Sequence, residues 1–332
     1  MPTIKEVSRR AKVSPSTVSR VLNETVPVAA DTRQRVLDAV KELDYQPNVF
    51  ARGLVTNRSG GIGVVLNEIS SPYYAGLIGG IEKVVEAEGG HLLVSSGHAD
   101  AEKEREAVAF LRQRRSDAVI VQVDAATDYD LLAWAKSGPP LIIFGRNVAE
   151  LTGSCVYLDN EQGGFLATQH LIDNGHRRIA HITGPLWVQD SRARLQGYRR
   201  ALSANRLPFD ELLVVEGDFA EAGGQLAMTL LLERRVNVSA VFVGNDQMAL
   251  GALTALREAG CRVPNDISLV GYDDVLFARY LSPSLTTIRQ PLFEMGQAAA
   301  RLAVARLKGT ETEVKRSFEP ELIVRTSVQD LR

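Results

Sequence analysis

Cysteine is almost missing from this 332-residue chain, which has only Cys155 and Cys261. Neither has a cysteine or histidine nearby at metal-ligand spacing, so a disulfide framework is excluded and both read as small core residues. No run of about 18 apolar residues occurs, so no membrane-spanning helix is expected. The opening stretch, Met1-Pro2-Thr3-Ile4-Lys5-Glu6, lacks the apolar centre of a secretory leader, and a cytoplasmic location is the expectation. An excess of one charge is also missing: 38 Lys and Arg stand against 40 Asp and Glu. With 45% hydrophobic and 23% charged residues, the composition excludes disorder, collagen-like repeats and coiled coils. The length implies two or three packing units.

The near-neutral total conceals an asymmetry. Residues 1–58 hold ten Lys or Arg against six Asp or Glu, a surplus of +4, and the remainder carries −6. A basic segment on an acidic body suggests an appended unit that meets a polyanion. Thr3-Ile4-Lys5-Glu6 reads as a capping box that starts a helix running to about Ala11. Ser14 as N-cap and Pro15 at the first helical position start a second helix, and the pair forms a helix-turn-helix. A third helix is expected over about Asp31–Leu43, adding Val36, Leu37, Val40 and Leu43 to a core of Ile4, Val7, Ala11, Val18, Val21 and Leu22. The polar face of the second helix offers Ser16, Thr17, Ser19 and Arg20. An arginine there can fork onto guanine in the major groove while hydroxyls meet phosphates; the plainer alternative is a helical cap with a solvated face.

The string from Thr3 to Asn23, TIKEVSRRAKVSPSTVSRVLN, resembles the DNA-binding module of the lactose and galactose repressor family. The resemblance implies that Pro15, Ser16 and Arg20 face base edges. Because Pro15 and Ser16 are short, Arg20 is expected to carry most direct readout, with Thr17 mainly on phosphate. Thr3, Ser14, Ser19 and Asn23 complete the expected contacts of the module.

Tyr45 to Leu54 and the polar stretch Thr56 to Gly61 follow. Asn48 to Leu54 is too short for a stable isolated helix, and Gly53 costs it roughly another 1 kcal/mol. A plain linker is one reading, yet Val49, Phe50 and Leu54 are more apolar than linkers usually are. In the family resembled, this segment folds on DNA, pairs with its dimer mate and levers a leucine into the minor groove. By that resemblance Leu54 is the wedge, and Asn48 and Ala51 join the candidate DNA contacts.

From Ile62 onward, short apolar runs alternate with amphipathic helices: Ile62–Leu66, Leu92–Ser95, Ala118–Val123 and Leu141–Phe144, then Ile179–Thr183, Leu212–Val215, Ala240–Val243 and Ile267–Val270. Such runs indicate parallel sheets covered on both faces, here in two similar lobes. A late helix, Pro291–Leu307, and strand, Leu322–Arg325, would cross back between them. The expected fold is thus a small all-α helix-turn-helix domain (1–46), a hinge and linker (47–59) and an α/β two-lobed, periplasmic-binding-protein-like (type I) effector domain (60–332). Its N-lobe spans about 60–159 and 291–320, its C-lobe about 160–290 and 321–332.

Ligands of such sheets bind beyond the carboxyl ends of the strands, which draws attention to Asn67, Glu68, Arg146, Asn245, Asp246, Asp273 and Asp274. Carboxylates, amides and an arginine with Tyr73, Tyr74, Trp187 and Phe219 close in sequence suit polyol recognition. Each could instead be an ordinary helix cap, Asn245 and Asp274 above all. Ala167 to His176, Arg194-Leu195-Gln196-Gly197-Tyr198, Asn245 to Ala249 and Val270 to Asp274 resemble the same family's regulatory domain. Asp273 to Tyr280 and Leu285 to Arg289 most resemble its galactose repressor branch. That resemblance implies that Arg194 and Asp273 clamp a sugar's hydroxyls, Asn245 adds an amide and Phe219 packs on the ring. Ser70, Tyr73, Tyr74, Arg146 and Trp187 complete the candidate effector residues.

Competing chemistries find little support. His170, His176 and His181 fall on a helix, past its end and in a strand, so no metal is expected. Gly60-Gly61-Ile62-Gly63 precedes its strand, whereas a dinucleotide fingerprint must follow one. No phosphate loop, nucleophile elbow or catalytic triad is apparent, and neither an enzyme nor a cofactor is expected. The reading is a dimeric, nucleoid-associated repressor of sugar-utilisation genes on a pseudo-palindromic double-stranded operator, controlled by galactose, a galactoside or a glucoside, without membrane contact. The alternatives are a transport-type sugar receptor without DNA function and a regulator answering to a non-sugar metabolite.

Overall fold

In the computed structural model the described residues are 2–23, 26–45 and 59–332. Asn48, Ala51 and Leu54 lie outside them, and so does the side chain of Asn23. The chain divides after Gly60 into two units.

The first unit holds helices α1 (Ile4–Ala11), α2 (Pro15–Asn23) and α3 (Ala30–Glu42). At the start of α1 the Glu6 carboxylate accepts from the Thr3 backbone N–H at 2.7 Å and from its hydroxyl at 3.0 Å. Lys12 turns into the left-handed region (φ 53°) and ends α1. Two residues on, Ser14 Oγ accepts from the Thr17 N–H at 3.1 Å and opens α2. Val7, Val18 and Val36 are fully buried, with Ala11, Val21 and Ala39 beside them, each valine contributing roughly 1.5–3 kcal/mol. Leu37 departs from expectation, being 40% exposed. Positions 36, 39, 40 and 43 lie on one face of a helix with 3.6 residues per turn, and 37 is rotated off it.

The second unit contains two six-stranded sheets. The first is ordered β11 (Ser317–Phe318), β5 (Cys155–Leu158), β4 (Leu141–Gly145), β3 (Ala118–Val121), β1 (Gly61–Leu66), β2 (His91–Ser96), all parallel. The second is ordered β12 (Glu321–Ile323), β10 (Thr286–Arg289), β9 (Ser268–Asp273), β8 (Ala240–Val243), β6 (Ile179–Thr183), β7 (Val214–Glu216), with only β12 antiparallel. Helices α4 (Tyr73–Ala87), α5 (Ala101–Gln113), α6 (Asp128–Lys136) and α11 (Leu292–Lys308) accompany the first sheet. The second goes with α7 (Asn160–Asp173), α8 (Gln189–Ala204), α9 (Glu221–Glu233) and α10 (Asp246–Glu258).

The chain crosses between sheets after β5, after β10 and between β11 and β12, so each lobe is discontinuous. Central strands such as β1, β3 and β8 are buried throughout, the apolar signature of a sheet covered on both faces. The run 212–215 is only half strand: Asp210 caps a 3₁₀ turn over Glu211–Leu213 before β7 begins at the sheet edge. Leu212 is accordingly exposed. Helices pair closely where glycine permits. A Cβ on Gly80 of α4 would lie 2.1 Å from the Phe293 carbonyl oxygen of α11.

Candidate functional site

In the first unit, Pro15, Ser16 and Arg20 are exposed on α2 while Val18 and Val21 face the core. Ser14 Oγ lies 2.7 Å from Ser16 Oγ and 2.9 Å from Thr17 Oγ1, so the hydroxyls at the helix start already engage one another. Thr17 and Ser19 are half-buried, and exposed Thr3 is held by Glu6. In a helix-turn-helix the residues toward the start of the second helix are those that can meet base edges in a major groove.

In the second unit a cleft of about 320 Å³ lies between the lobes, lined by residues from the carboxyl ends of both sheets. The first lobe contributes Asn67 and Glu68 after β1, His98 after β2, Gln122 and Asp124 after β3, and Ser71, Tyr73 and Tyr74 at the start of α4. The second contributes Trp187 and Asp190 after β6, Asp218 and Phe219 after β7, Asn245 and Gln247 after β8, Asp273 ending β9, and Arg194 from α8. Ser71 Oγ donates to Gln247 Oε1 at 2.8 Å, joining the lobes across the mouth.

Arg194 is buried and held on several sides. Its Nε donates to Asn160 Oδ1 at 2.9 Å, its Nη1 to the Gly244 carbonyl at 2.6 Å, and its guanidinium carbon stands 3.7 Å from the centre of the Tyr272 ring. The remaining nitrogen is 4.0 Å from Asp190. Asp273 is buried, which pushes its carboxyl up to about 7 against the pull of Arg194 and of the Gln290 amide, bonded at 2.7 Å. Asp273 (φ 109°) and Asp274 (φ 54°) both occupy positive-φ backbone, a strain that surrounding bonds must hold. Asp274 is gripped by Arg289 at 2.8 Å and Arg325 at 2.5 Å, and fully buried Asp246 accepts from the Val275 N–H at 3.0 Å and the Thr287 hydroxyl at 2.6 Å. Asp246 and Asp274 therefore stay out of the cleft and aim Asp273 into it.

On the facing wall, burial lifts Asp124 to about 7, with Asp190 the largest charge effect and Asn67, whose amide donates to it, pulling the other way. Withdrawal from water also raises Asp190. Behind Asp124, fully buried Glu104 accepts from three successive backbone N–H groups: Asp124 at 2.9 Å, Ala125 at 3.1 Å and Ala126 at 2.6 Å.

Of the expected effector residues, Tyr73, Tyr74, Trp187, Arg194, Phe219, Asn245 and Asp273 are brought together in the cleft. Asn245 also caps α10, its Oδ1 accepting from Met248 N–H at 2.9 Å and its Nδ2 donating to the Phe219 carbonyl at 2.9 Å. It shapes the wall with both ends of its amide. Ser70 stands outside the lining, its hydroxyl on Glu68 at 2.5 Å, and Ser71 takes the inward place. Arg146 lies in a side recess, where it donates to the Ala126 carbonyl at 2.7 Å and pairs with Asp128 at 3.5 Å. Asp124, by contrast, follows a strand run directly and the strand-end rule could have found it; Asp190 reads as an ordinary acid in a first helical turn. The three histidines lie apart: His176 bonds Ser239 and Gln329, His181 stacks on Phe242, and His170 sits on α7.

The sequence profile of bacterial regulatory proteins, lacI family, matches residues 3–48, and that of the periplasmic binding protein-like domain matches 168–328. The chain is 40% identical over 329 residues to the HTH-type transcriptional regulator GalR of Salmonella typhimurium, covering 99% of this chain and 96% of that one. Among solved structures, a lac repressor dimer bound to operator and the anti-inducer ONPF superposes with a TM-score of 0.89 at 30% identity over 99% of both chains. The complex of the transcriptional regulator CelR with cellobiose gives 0.73 at 36% identity over 98% of this chain and all of that one. The chain belongs to the lacI family of bacterial regulatory proteins and is a transcriptional regulator, not an enzyme, with a helix-turn-helix DNA-binding unit and a two-lobed ligand-binding unit.

Proposed function

We propose that this protein is a sugar-responsive repressor that binds a pseudo-palindromic operator as a dimer and is released or retained according to a sugar in the inter-lobe cleft. The observation that carries the reading is the cleft itself. A cavity of about 320 Å³ holds a mono- or disaccharide, and its polar groups come from both lobes. Vicinal hydroxyls can donate to Asp273 and accept from Arg194, while Phe219 and Trp187 offer apolar faces to the sugar's C–H groups. The complex of CelR with cellobiose supports a sugar, and the resemblance of Asp273 to Tyr280 to the galactose repressor branch points to the galactose, galactoside or glucoside class. On the DNA side Arg20 is the main base-reading group and Pro15 and Ser16 lie against base edges. Thr3, Ser14, Thr17, Ser19 and Asn23 serve the backbone, and Asn48, Ala51 and Leu54 act in the hinge.

The mechanism follows from contacts made to both lobes at once. A sugar that holds Asp273 and Arg194 on one side and Tyr73 on the other favours one relative setting of the lobes, and the connecting segment passes that preference to the reader. A coupling of about 1–3 kcal/mol suffices for a 5- to 150-fold change in operator affinity. Gel-shift titration of the full chain on a palindromic duplex tests both parts, repeated with each member of a sugar panel. The expected result is a dimer-sized shift at modest salt that one sugar alters at least fivefold. No shift on any palindrome selected from random sequence refutes the DNA part, and a shift insensitive to every sugar refutes the effector part.

A further inference from the structure

The lining of the cleft is chemically one-sided. Glu68, Asp124, Asp190, Asp218 and Asp273 share the lining with one arginine, Arg194, and one histidine, His98; two of the arginine's nitrogens are spent on Asn160 and Gly244 and the third stands 4.0 Å from Asp190. Two of the carboxylates, Asp124 on the first lobe and Asp190 on the second, also share the small recess at the cleft's edge. Like charges brought together from opposite lobes repel, and partial withdrawal from water adds to the cost. Withdrawal from water raises both carboxyls, and Asp190 adds the largest charge effect on Asp124, while Arg194 and the Asn160 amide pull Asp190 the other way. Arg146, the nearby cation, is occupied by Ala126 and Asp128, and its pull ranks last for both. A third acceptor stands beside them: Asn67 gives its amide N–H to Asp124, and its Oδ1 is buried without a hydrogen-bond partner.

Asn67 Oδ1 is an acceptor without a donor, and Asp124 and Asp190 keep acceptor sites beyond those met by Asn67, Gln122, Asn160 and Arg194, a set best answered by a group that only donates. A hydroxyl supplies one proton and no charge. A phosphate or carboxylate supplies neither and meets five negative groups. A primary ammonium supplies three donors and a positive charge. We propose that the ligand of this cleft carries a primary ammonium group, an amino sugar in preference to a neutral or phosphorylated one, held between Asp124, Asp190 and Asn67 Oδ1. This rests on the reading of the cleft as a sugar site, with Arg194, Asp273 and Phe219 receiving the rest of the ring. The ammonium subsite sets specificity and favours the setting in which the two carboxylates share one cation.

Isothermal titration of the full chain at pH 7.5 uses galactosamine, glucosamine, galactose, glucose, galactose 6-phosphate and putrescine. The expected result is that a hexosamine binds at least tenfold tighter than its parent hexose and that the phosphate ester does not bind. Asp124→Asn and Asp190→Asn, each checked by operator binding and melting temperature, should each abolish that tenfold preference. Equal affinity for amine and parent, or binding of the phosphate ester, overturns the ammonium subsite and leaves the sugar reading standing. Putrescine binding without any sugar supports the subsite and overturns the sugar reading. No binding by any member overturns both.

Discussion

Replacing Glu104 by glutamine tests whether the acidic wall of the cleft is held from behind. Glu104 is fully buried on α5, with Oε1 taking the N–H groups of Asp124 and Ala125 and Oε2 that of Ala126. Glutamine keeps the shape but has one acceptor oxygen. If that oxygen stays with Asp124 and Ala125, the new NH₂ meets the Ala126 N–H donor to donor. A buried donor left without a partner costs about 1–3 kcal/mol. The two surviving bonds lose their charge assistance, roughly half their strength, for about another 1–2 kcal/mol. The expected loss is therefore about 3 kcal/mol. For the unit Gly61–Arg332, an unfolding entropy of roughly 2.1 cal/mol/K per residue converts this to a drop in melting temperature on the order of 5 °C. Differential scanning calorimetry of the full chain reads that drop, and titration of effector reads the second consequence. The loop that Glu104 holds carries Asp124 and the carbonyl that anchors Arg146, so effector affinity should fall several-fold while effector-free operator affinity stays unchanged. A shift below about 1 °C would refute the three-bond account, and a full shift with unaltered effector affinity would refute the positioning role.

Asp273→Asn preserves volume but removes the charge opposite Arg194; operator binding should survive while the sugar response is lost, and a normally responsive variant in a gel shift would overturn the assignment. Arg20→Ala should weaken the specific operator by about 1–3 kcal/mol, and an equal loss on random duplex would make Arg20 a phosphate contact only. Gly80→Ala would drive a methyl into the Phe293 carbonyl at 2.1 Å and should cost about 1–3 kcal/mol by chemical denaturation as α4 and α11 part. Asp124 and Asp273 titrate near 7 when folded against an ordinary 3.8, so the folded chain holds more protons than the unfolded one between those values. Stability of the ligand-free protein should therefore be greatest below about pH 4 as far as these groups act and be lost as pH rises through 7. Asp124→Asn should flatten that slope in melting-temperature measurements from pH 5 to 8; an unchanged slope removes Asp124 as a cause.

Features whose cause is local could be read from the chain. The Thr3-Glu6 box and the Ser14-Pro15 start act within one helical turn, and the strands such as β1, β3 and β8 announce themselves because both faces are covered. Strands β5, β10 and β11 were not announced. The last is two residues long and is a strand only by pairing with β5, whereas β5 and β10 are short runs of β-branched and aromatic residues that composition could have found. The same division runs through the site. The rule that ligands lie beyond strand ends found the right loops, but it cannot say which of two adjacent side chains turns inward. Asp273 and Asp274 differ in direction because Arg289 and Arg325, the latter brought by the returning C-terminal segment, seize one of them. Asn245 faces the cleft and Asp246 does not because Thr287 and the Val275 N–H wait on the other side. Ser71 displaces Ser70 for an equally distant reason, a partner on α10 of the opposite lobe. Asp124 and Asp190 complete the pattern. Each alone is an unremarkable acid at the start of a loop or helix, and only the facing of two lobes turns them into a shared, partly desolvated charge that a ligand can answer.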